Sequence, residues 1–452
     1  MTVLHAAAAL ATEGWLSDAR IHIEHGRIVS VESGAPPESG DERHGILLPG
    51  MPNLHSHAFQ RAMAGLAETR GPSADSFWSW RETMYRHALS LSPDEVEAIA
   101  AQLYVEMLEA GFTRVGEFHY LHHDRDGSPY ADLGEMAGRI CAAAGKTGIG
   151  LTLLPVFYAH GGFGGQPATE GQRRFLTGKD SFARLLERAE AHARGLDGAV
   201  VGVAPHSLRA VTTSQLGYAA MLRPGAPIHI HIAEQVREVE DCIAWSGKRP
   251  VDWLLANAPV DERWCLIHAT HMTEGETMAM AHRSAVAGLC PVTEANLGDG
   301  IFNASLFLGA GGAFGVGSDS NVLIGLGDEL RQLEYSQRLR DKARNVLAGP
   351  GGSTGRRLFE GAVVGGARAL GVAGQHIKAG APADLVSLDL EDPALAGRGG
   401  DSLIDAWIFS ARRGAVDCVW VGGRKLVEGG RHGGHEPIAS RFRKVMAEIA
   451  GR

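Results

Sequence analysis

Eight short apolar runs, separated in most cases by segments with helical periodicity, mark the middle of this chain: 46–54, 112–117, 148–156, 199–204, 227–233, 264–268, 285–290 and 312–318. Strands that alternate with helices pair in parallel, because each return crossing needs a dozen or more residues. Eight such units between residues 48 and 376 predict an α/β fold, a (β/α)8 TIM-like barrel. Ser92-Pro93-Asp94-Glu95 combines a capping box with proline at the first helical position, and opens an amphipathic helix expected to stop at Gly111. The ends of the chain read differently. Residues 1–45 alternate in the manner of short strands, as in Ile21 to Val29, and the same texture returns at Ala383–Leu388 and Val416–Gly423. These two ends are expected to pair into a small β-sandwich domain, residues 1–47 plus 377–435, with a C-terminal helix over 436–452.

Composition narrows the function. The net charge of −9 argues against a nucleic-acid or membrane-surface partner, which would need a basic face. It leaves room for an anionic small substrate held by a local pair of arginines. No run reaches the ~18 apolar residues of a membrane span, and the Ala-rich opening His5–Ala11 lacks a basic leader. Cys141, Cys242, Cys265, Cys290 and Cys418 are odd in number and scattered, as expected of reduced thiols in a cytoplasmic enzyme. Glycine, 60 of 452 residues, is near twice the usual ~7% but without a Gly-X-Y period, which fits many tight turns.

Barrel enzymes work at the carboxyl ends of their strands. There the first run ends in His55-Ser56-His57, the fourth in His206, the fifth in His231 followed by Glu234, the sixth in His268 and the eighth in Asp319. Residues two apart on a strand face the same way, so His55 and His57 can reach one ion. An H-x-H pair alone is weak evidence; His231 and Asp319 at equivalent strand ends make it strong. Three imidazoles and a carboxylate suit one Zn²⁺, or Fe²⁺, and leave a position for water. The fourth run, Val200 to His206, contains no lysine that could be modified to bridge a second ion, so a single metal is favoured.

Glu234, three residues beyond a ligand, is placed to carry a proton between water and a leaving nitrogen. His268 could polarise the attacked group, and Asp319 could accept a proton as well as bind metal. His229 shares the strand parity of His231 one layer deeper and reads as a packed histidine. The pairs His122-His123 and His432/His435 read as solvated. Residues 160–172, with Gly161-Gly162-Phe163-Gly164-Gly165, form a flexible insertion that reads equally as a lid or as a plain surface loop.

The strings Leu48-Pro49-Gly50-Met51-Pro52-Asn53-Leu54-His55-Ser56-His57, His231-Ile232-Ala233-Glu234, His268 and Gly317-Ser318-Asp319 resemble the mononuclear deaminase branch of the amidohydrolase superfamily. Within that branch, His55 to Arg61, Phe77 to Arg81, Gly116 to Tyr120, Ala204 to Arg209 and Gly317 to Asn321 resemble the formimidoylglutamate deiminases of histidine degradation, nearly end to end. The resemblance implies zinc on His55, His57, His231 and Asp319, with Glu234, His268 and Asp319 in catalysis. It also implies a homodimer and a small acidic substrate, N-formimino-L-glutamate. The two carboxylates of that substrate would meet Arg81 and Arg209, supported by Gln60, Tyr120 and His206. Two alternatives remain at this point: a deaminase of purines, pyrimidines or related heterocycles, and a non-catalytic scaffold, which should have lost ligands that are all present here. Residue spacing does not dictate whether attack at the formimino carbon expels ammonia or glutamate; the resemblance selects ammonia.

Overall fold

A computed structural model describes residues 2–70, 76–411 and 413–452. Barrel strand 1, Met51–Ser56, pairs in parallel with strand 2, Phe112–His119, which pairs with strand 3, Gly150–Phe157. Every residue of these three strands is buried, as expected of a sheet covered on both faces. Strand 4 is broken into Val200–Val201 and Ala204–Pro205, both against strand 3. Bridges at Val203–Ile228 and Ser207–His231 tie it to strand 5, Ile228–Ile232. Strands 6 (Trp264–His268), 7 (Val286–Leu289) and 8 (Ala313–Val316) follow in parallel order, and a Ser56–Asp319 bridge closes the ring.

The apolar run at 46–54 serves two sheets. Ile46 to Pro49 completes a strand, Glu42–Pro49, whose Leu47 and Leu48 pair with Ser387 and Val386. The chain then turns at Gly50 and enters the barrel at Met51. Strands from both ends of the chain join one eight-stranded sheet, in which Glu42–Pro49 lies between Leu385–Leu388 and Thr2–Ala11. Leu4, Ile21, Leu385 and Trp420 belong to a core of its own. The N-terminal strands are longer than expected, 10 residues for Thr2–Ala11 and 11 for Gly14–Glu24. The capping box at Ser92 forms on both sides, and the helix Pro93–Glu109 ends before Gly111, whose φ of +92° suits glycine. The C-terminal helix His435–Ala450 packs against it. All five cysteines are buried and free. Among the described residues no helix is long and apolar enough to cross a membrane.

Two expectations are corrected. His122 is buried, not solvated, and its Nε2 lies 2.8 Å from the Val156 carbonyl; His123 is partly buried against the Leu176 carbonyl at 2.7 Å. The segment around Arg174, whose carbonyl accepts both backbone N–H groups, covers them. In the tail, His432 is buried with its Nε2 2.9 Å from the Thr147 carbonyl, and His435 contacts Glu109 at 2.7 Å. Each ring replaces water with a protein acceptor, which removes the need for exposure.

Strand 8 passes strand 1 so closely that a Cβ on Gly317 would lie 2.8 Å from the backbone N and O of His55. Gly317→Ala must therefore displace backbone, and is expected to cost about 1–3 kcal/mol. Thermal denaturation of the variant checks this, and an unchanged Tm would contradict the contact.

Candidate active site

Four ligand atoms converge at the carboxyl ends of strands 1, 5 and 8. The Nε2 of His55 lies 3.2 Å from that of His57 and 3.1 Å from that of His231. Asp319 Oδ1 is 3.3 Å from His55 Nε2 and 3.2 Å from His57 Nε2. Hydrogen bonds on the far side of two rings decide what these atoms present. His57 Nδ1 is 2.9 Å from the Phe118 carbonyl, and His231 Nδ1 is 3.2 Å from the His206 carbonyl. A carbonyl only accepts, so each ring carries its proton on Nδ1 and turns a bare Nε2 lone pair inward. Burial pushes His55 down to about 3 and His231 well below its ordinary value, so both imidazoles are neutral at pH 7. Lone pairs and a carboxylate facing one another in a buried nest repel unless a cation sits between them. Their separations match the ~3.3 Å ligand–ligand edge of a tetrahedral site with bonds of about 2.0–2.1 Å. The donor set fits one divalent metal.

Beside this nest lie Glu234 and His268. His268 Nε2 is 3.8 Å from Glu234 Oε1 and 3.9 Å from Asp319 Oδ2, while its Nδ1 is 3.3 Å from Glu294 Oε1. Burial raises the Glu234 pKa, partly offset by His268 and Arg209. Burial works against charge on His268, yet Glu234, with Glu294 and Asp319, lifts its pKa to about 10. A carboxyl group and an imidazole thus perturb one another electrostatically beside the metal nest. The backbone here is strained: Ala233, His268, Ala269, Asp319 and Asn321 all have positive φ, between 44° and 67°. Left-handed conformations in residues with a Cβ cost roughly 1–2 kcal/mol each, and they concentrate where side chains must be aimed.

A single cavity is lined by His57, Gln60, Arg81, Tyr120, His206, Arg209, His231, Glu234, His268 and Asp319. His55, fully buried, lies behind it. All the residues singled out in the sequence therefore meet in one place. Gln60 donates from Nε2 to the Tyr120 hydroxyl at 2.8 Å, and Tyr120 packs edge-on against His57. The same cavity wall carries two guanidinium groups. Arg81, on the helix Phe77–Ser90, stacks on Trp78 at 4.5 Å, and Arg209 approaches the same ring at 5.9 Å. Arg81 Nε and Arg209 Nη1 are buried donors with no hydrogen-bond partner among the described residues. The nearest carboxylate oxygen paired with Arg209 is Glu234 Oε2, 4.0 Å away. Unsatisfied cationic donors in a cavity wall call for an anion.

The aromatic segment around Arg81, from Phe77 to Tyr85, contributes Phe77, Trp80, Met84 and Tyr85 to the cavity wall, whereas the sequence did not single out Tyr158 and Phe175, which wall it as well. Nor did it single out Glu238, which is fully buried and accepts the Glu234 N–H on Oε2 at 3.0 Å. Its position four residues after Glu234 in the first turn of the next helix was the available signal. Glu294 and Asp299 were also missed. His229 is buried and packed, with Nε2 2.7 Å from the Ala369 carbonyl. Part of the loop 160–172 is anchored: Phe163 is buried and stacks on Trp245 at 5.5 Å.

This barrel, with its metal nest and buried carboxyl–imidazole pair, matches known proteins along its whole length. The amidohydrolase family profile matches residues 46–426, and the chain belongs to that family. Within it the chain is one of the formimidoylglutamate deiminases. The profile for the N-terminal domain of formimidoylglutamate deiminase HutF matches residues 1–45. A formimidoylglutamate deiminase from Pseudomonas aeruginosa is 52% identical over 454 residues, covering 99% of this chain and 100% of that protein. A 5-methylthioadenosine/S-adenosylhomocysteine deaminase from Natronomonas pharaonis is 27% identical, covering 90% of this chain and 87% of its own length. Among solved structures, an amidohydrolase from Brucella melitensis superposes with a TM-score of 0.97 at 61% identity, covering 100% of both chains. An adenosine deaminase from Xanthomonas campestris with bound zinc shares the fold, with a TM-score of 0.82 at 21% identity over 100% of this chain and 99% of that one.

Proposed function

We propose that this enzyme hydrolyses N-formimino-L-glutamate to N-formyl-L-glutamate and ammonia, in histidine degradation. The observation that carries the reading is the pair of partnerless guanidinium donors, Arg81 Nε and Arg209 Nη1, in one cavity with the metal nest. A neutral heterocycle would offer no anionic acceptor to Arg81 Nε and Arg209 Nη1, whereas a dicarboxylate offers one to each. The 52% identical deiminase supports the same choice.

We assign one zinc to His55, His57, His231 and Asp319, where it would act as a Lewis acid and lower the pKa of water towards about 7. Glu234 takes a proton from the attacking water as its oxygen bonds to the formimino carbon. His268, with Nδ1 3.3 Å from Glu294 and Nε2 3.8 Å from Glu234, donates a hydrogen bond as negative charge develops at the reacting centre. Glu234 then passes its proton to the formimino nitrogen, leaving a tetrahedral carbon that bears a hydroxyl and an amino group. Transfer of the hydroxyl proton to that amino group breaks the C–N bond, forms the formyl C=O and releases ammonia. Asp319, 3.9 Å from His268 through Oδ2, has a free oxygen to help move that proton. Arg81 and Arg209 bind the two carboxylates, while Gln60, Tyr120 and His206 shape the floor between them. The family likeness also supports a cytoplasmic homodimer, which size-exclusion chromatography with light scattering would test.

Proton NMR of the zinc-loaded enzyme with N-formimino-L-glutamate tests the reaction. N-formylglutamate signals are expected; formamide with glutamate would mean that the other C–N bond breaks, and turnover of adenosine-type compounds instead would overturn the substrate. Arg209→Ala is expected to raise KM about 100-fold or more, the effect of losing a charge-assisted bidentate pair of ~3 kcal/mol. Metal content should not change. A wild-type KM would remove Arg209 from the carboxylate site.

A further inference from the structure

Behind the catalytic pair runs a set of hydrogen bonds that the reaction as described does not use. Asp299 sits in the turn after the helix Pro291–Leu297, between Gly298 at φ +71° and Gly300 at φ +140°. It is 5% exposed. Its Oδ1 accepts a hydrogen bond from the side-chain amide of Gln235, the residue next to Glu234. Its carbonyl lies 2.8 Å from His271 Nε2, and the backbone N–H of His271 donates to the Ala233 carbonyl at 2.9 Å. Its own N–H donates to the Glu294 carbonyl at 2.9 Å, and the Glu294 carboxylate reaches His268 Nδ1 at 3.3 Å. One residue thus joins the turn after strand 5, the loop after strand 6 and the segment after strand 7. It links Glu234 to His268 through Ala233, Gln235, His271 and Glu294, none of which lines the cavity.

We infer that Asp299 is a positioning residue, which through Gln235 and His271 holds the strained Ala233–Glu234 turn so that the Glu234 carboxylate meets His268. The inference rests on the roles of Glu234 and His268 proposed above. Ala233 at φ +50° needs external restraint, because an alanine left free would relax out of that region. Burial, and then the charge of Glu234, push the Asp299 carboxyl up to about 9. The group is therefore an uncharged acid at pH 7, and an asparagine amide reproduces its shape and its acceptor oxygen. That distinguishes holding a side chain from relaying a proton.

The test is steady-state kinetics on N-formimino-L-glutamate, with metal analysis, for wild type, Asp299→Ala, Asp299→Asn, Gln235→Ala and the Asp299→Ala/Gln235→Ala double variant. Asp299→Ala and Gln235→Ala should each lower kcat about 10- to 100-fold, with KM within about threefold of wild type and full metal content. The double variant should be no worse than the worse single one, since both remove the same brace. Asp299→Asn should recover most of kcat. Additive losses, a loss confined to KM, or an Asn variant as poor as the Ala variant would each overturn the inference. If Asp299→Ala does not fold, the Gln235→Ala and Asp299→Asn pair decides alone: a wild-type kcat in Gln235→Ala, or a large loss in Asp299→Asn, overturns it. A wild-type enzyme that releases no ammonia from this substrate defeats the functional reading, whereas an active wild type with unaffected variants defeats only the role of Asp299.

Discussion

Glu234→Gln is expected to keep its metal and its fold while losing about 10²- to 10⁴-fold in kcat, the range typical of a general acid–base group. The substitution is nearly isosteric. It preserves the backbone N–H that Glu238 accepts at 3.0 Å, so the turn keeps that anchor. Glu234 is outside the donor set of His55, His57, His231 and Asp319, so metal content should stay at the wild-type value. What the amide cannot do is accept a proton from water and return it to nitrogen. The Michaelis constant should not rise, because Arg209 loses a neighbouring anion 4.0 Å away that competes with a substrate carboxylate for its charge. Stopped assays of ammonia release, with inductively coupled plasma analysis of the same samples, check both halves. A variant within threefold of wild-type kcat would remove Glu234 from proton transfer. A variant that had lost its metal would make the kinetic loss uninformative about proton transfer, and would show that Glu234 supports the nest.

The contrast between Glu234 and Asp299 shows what a single sequence can carry. Glu234 was legible because it follows a ligand histidine at a strand end, and a barrel places all such ends around one mouth. His55, His57, His231, His268 and Asp319 were legible for the same reason. Eight runs of apolar residues announced the barrel because parallel strands covered on both faces must be apolar throughout. Arg81 and Arg209 were different. Nothing in their local sequence distinguishes them from surface arginines, and only a likeness across longer strings drew them out; their partnerless donors emerge once Trp78 and the cavity are in place. Asp299 gave less still. It looks like an ordinary turn residue in Gly-Asp-Gly, and its importance depends on which loops cross behind strands 5, 6 and 7. His122 failed in the opposite direction. The pair His122-His123 read as solvated, but the Val156 carbonyl of strand 3 meets the His122 ring and the Arg174 carbonyl accepts its backbone N–H. Local polarity predicts exposure only where no distant segment comes back to cover it.

His231→Ala is expected to abolish both metal retention and turnover, the largest effect foreseen for a single substitution here. Four donors define the nest, and His231 Nε2 lies 3.1 Å from His55 Nε2, so its loss opens one corner of the tetrahedron. The remaining His55, His57 and Asp319 still form a possible three-ligand set, but a buried cavity in place of an imidazole cannot hold a water as rigidly as a ring fixed through Nδ1 to the His206 carbonyl. Dialysed wild type should retain one metal per chain, whereas the variant should retain almost none. Binding to the folded state alone stabilises by RT ln(1 + [L]/Kd), about 2.7 kcal/mol at a hundredfold excess over Kd. Zinc added to chelator-stripped wild type should therefore raise Tm in a concentration-dependent way, and the same titration of His231→Ala should give a flat response. Comparing zinc with iron(II) in the stripped wild type separates the two metals that this donor set can accept. Stoichiometric, tightly held metal in His231→Ala would mean that His231 is not a ligand, and with it the alignment of strand 5 with strands 1 and 8 around a common ion would fall.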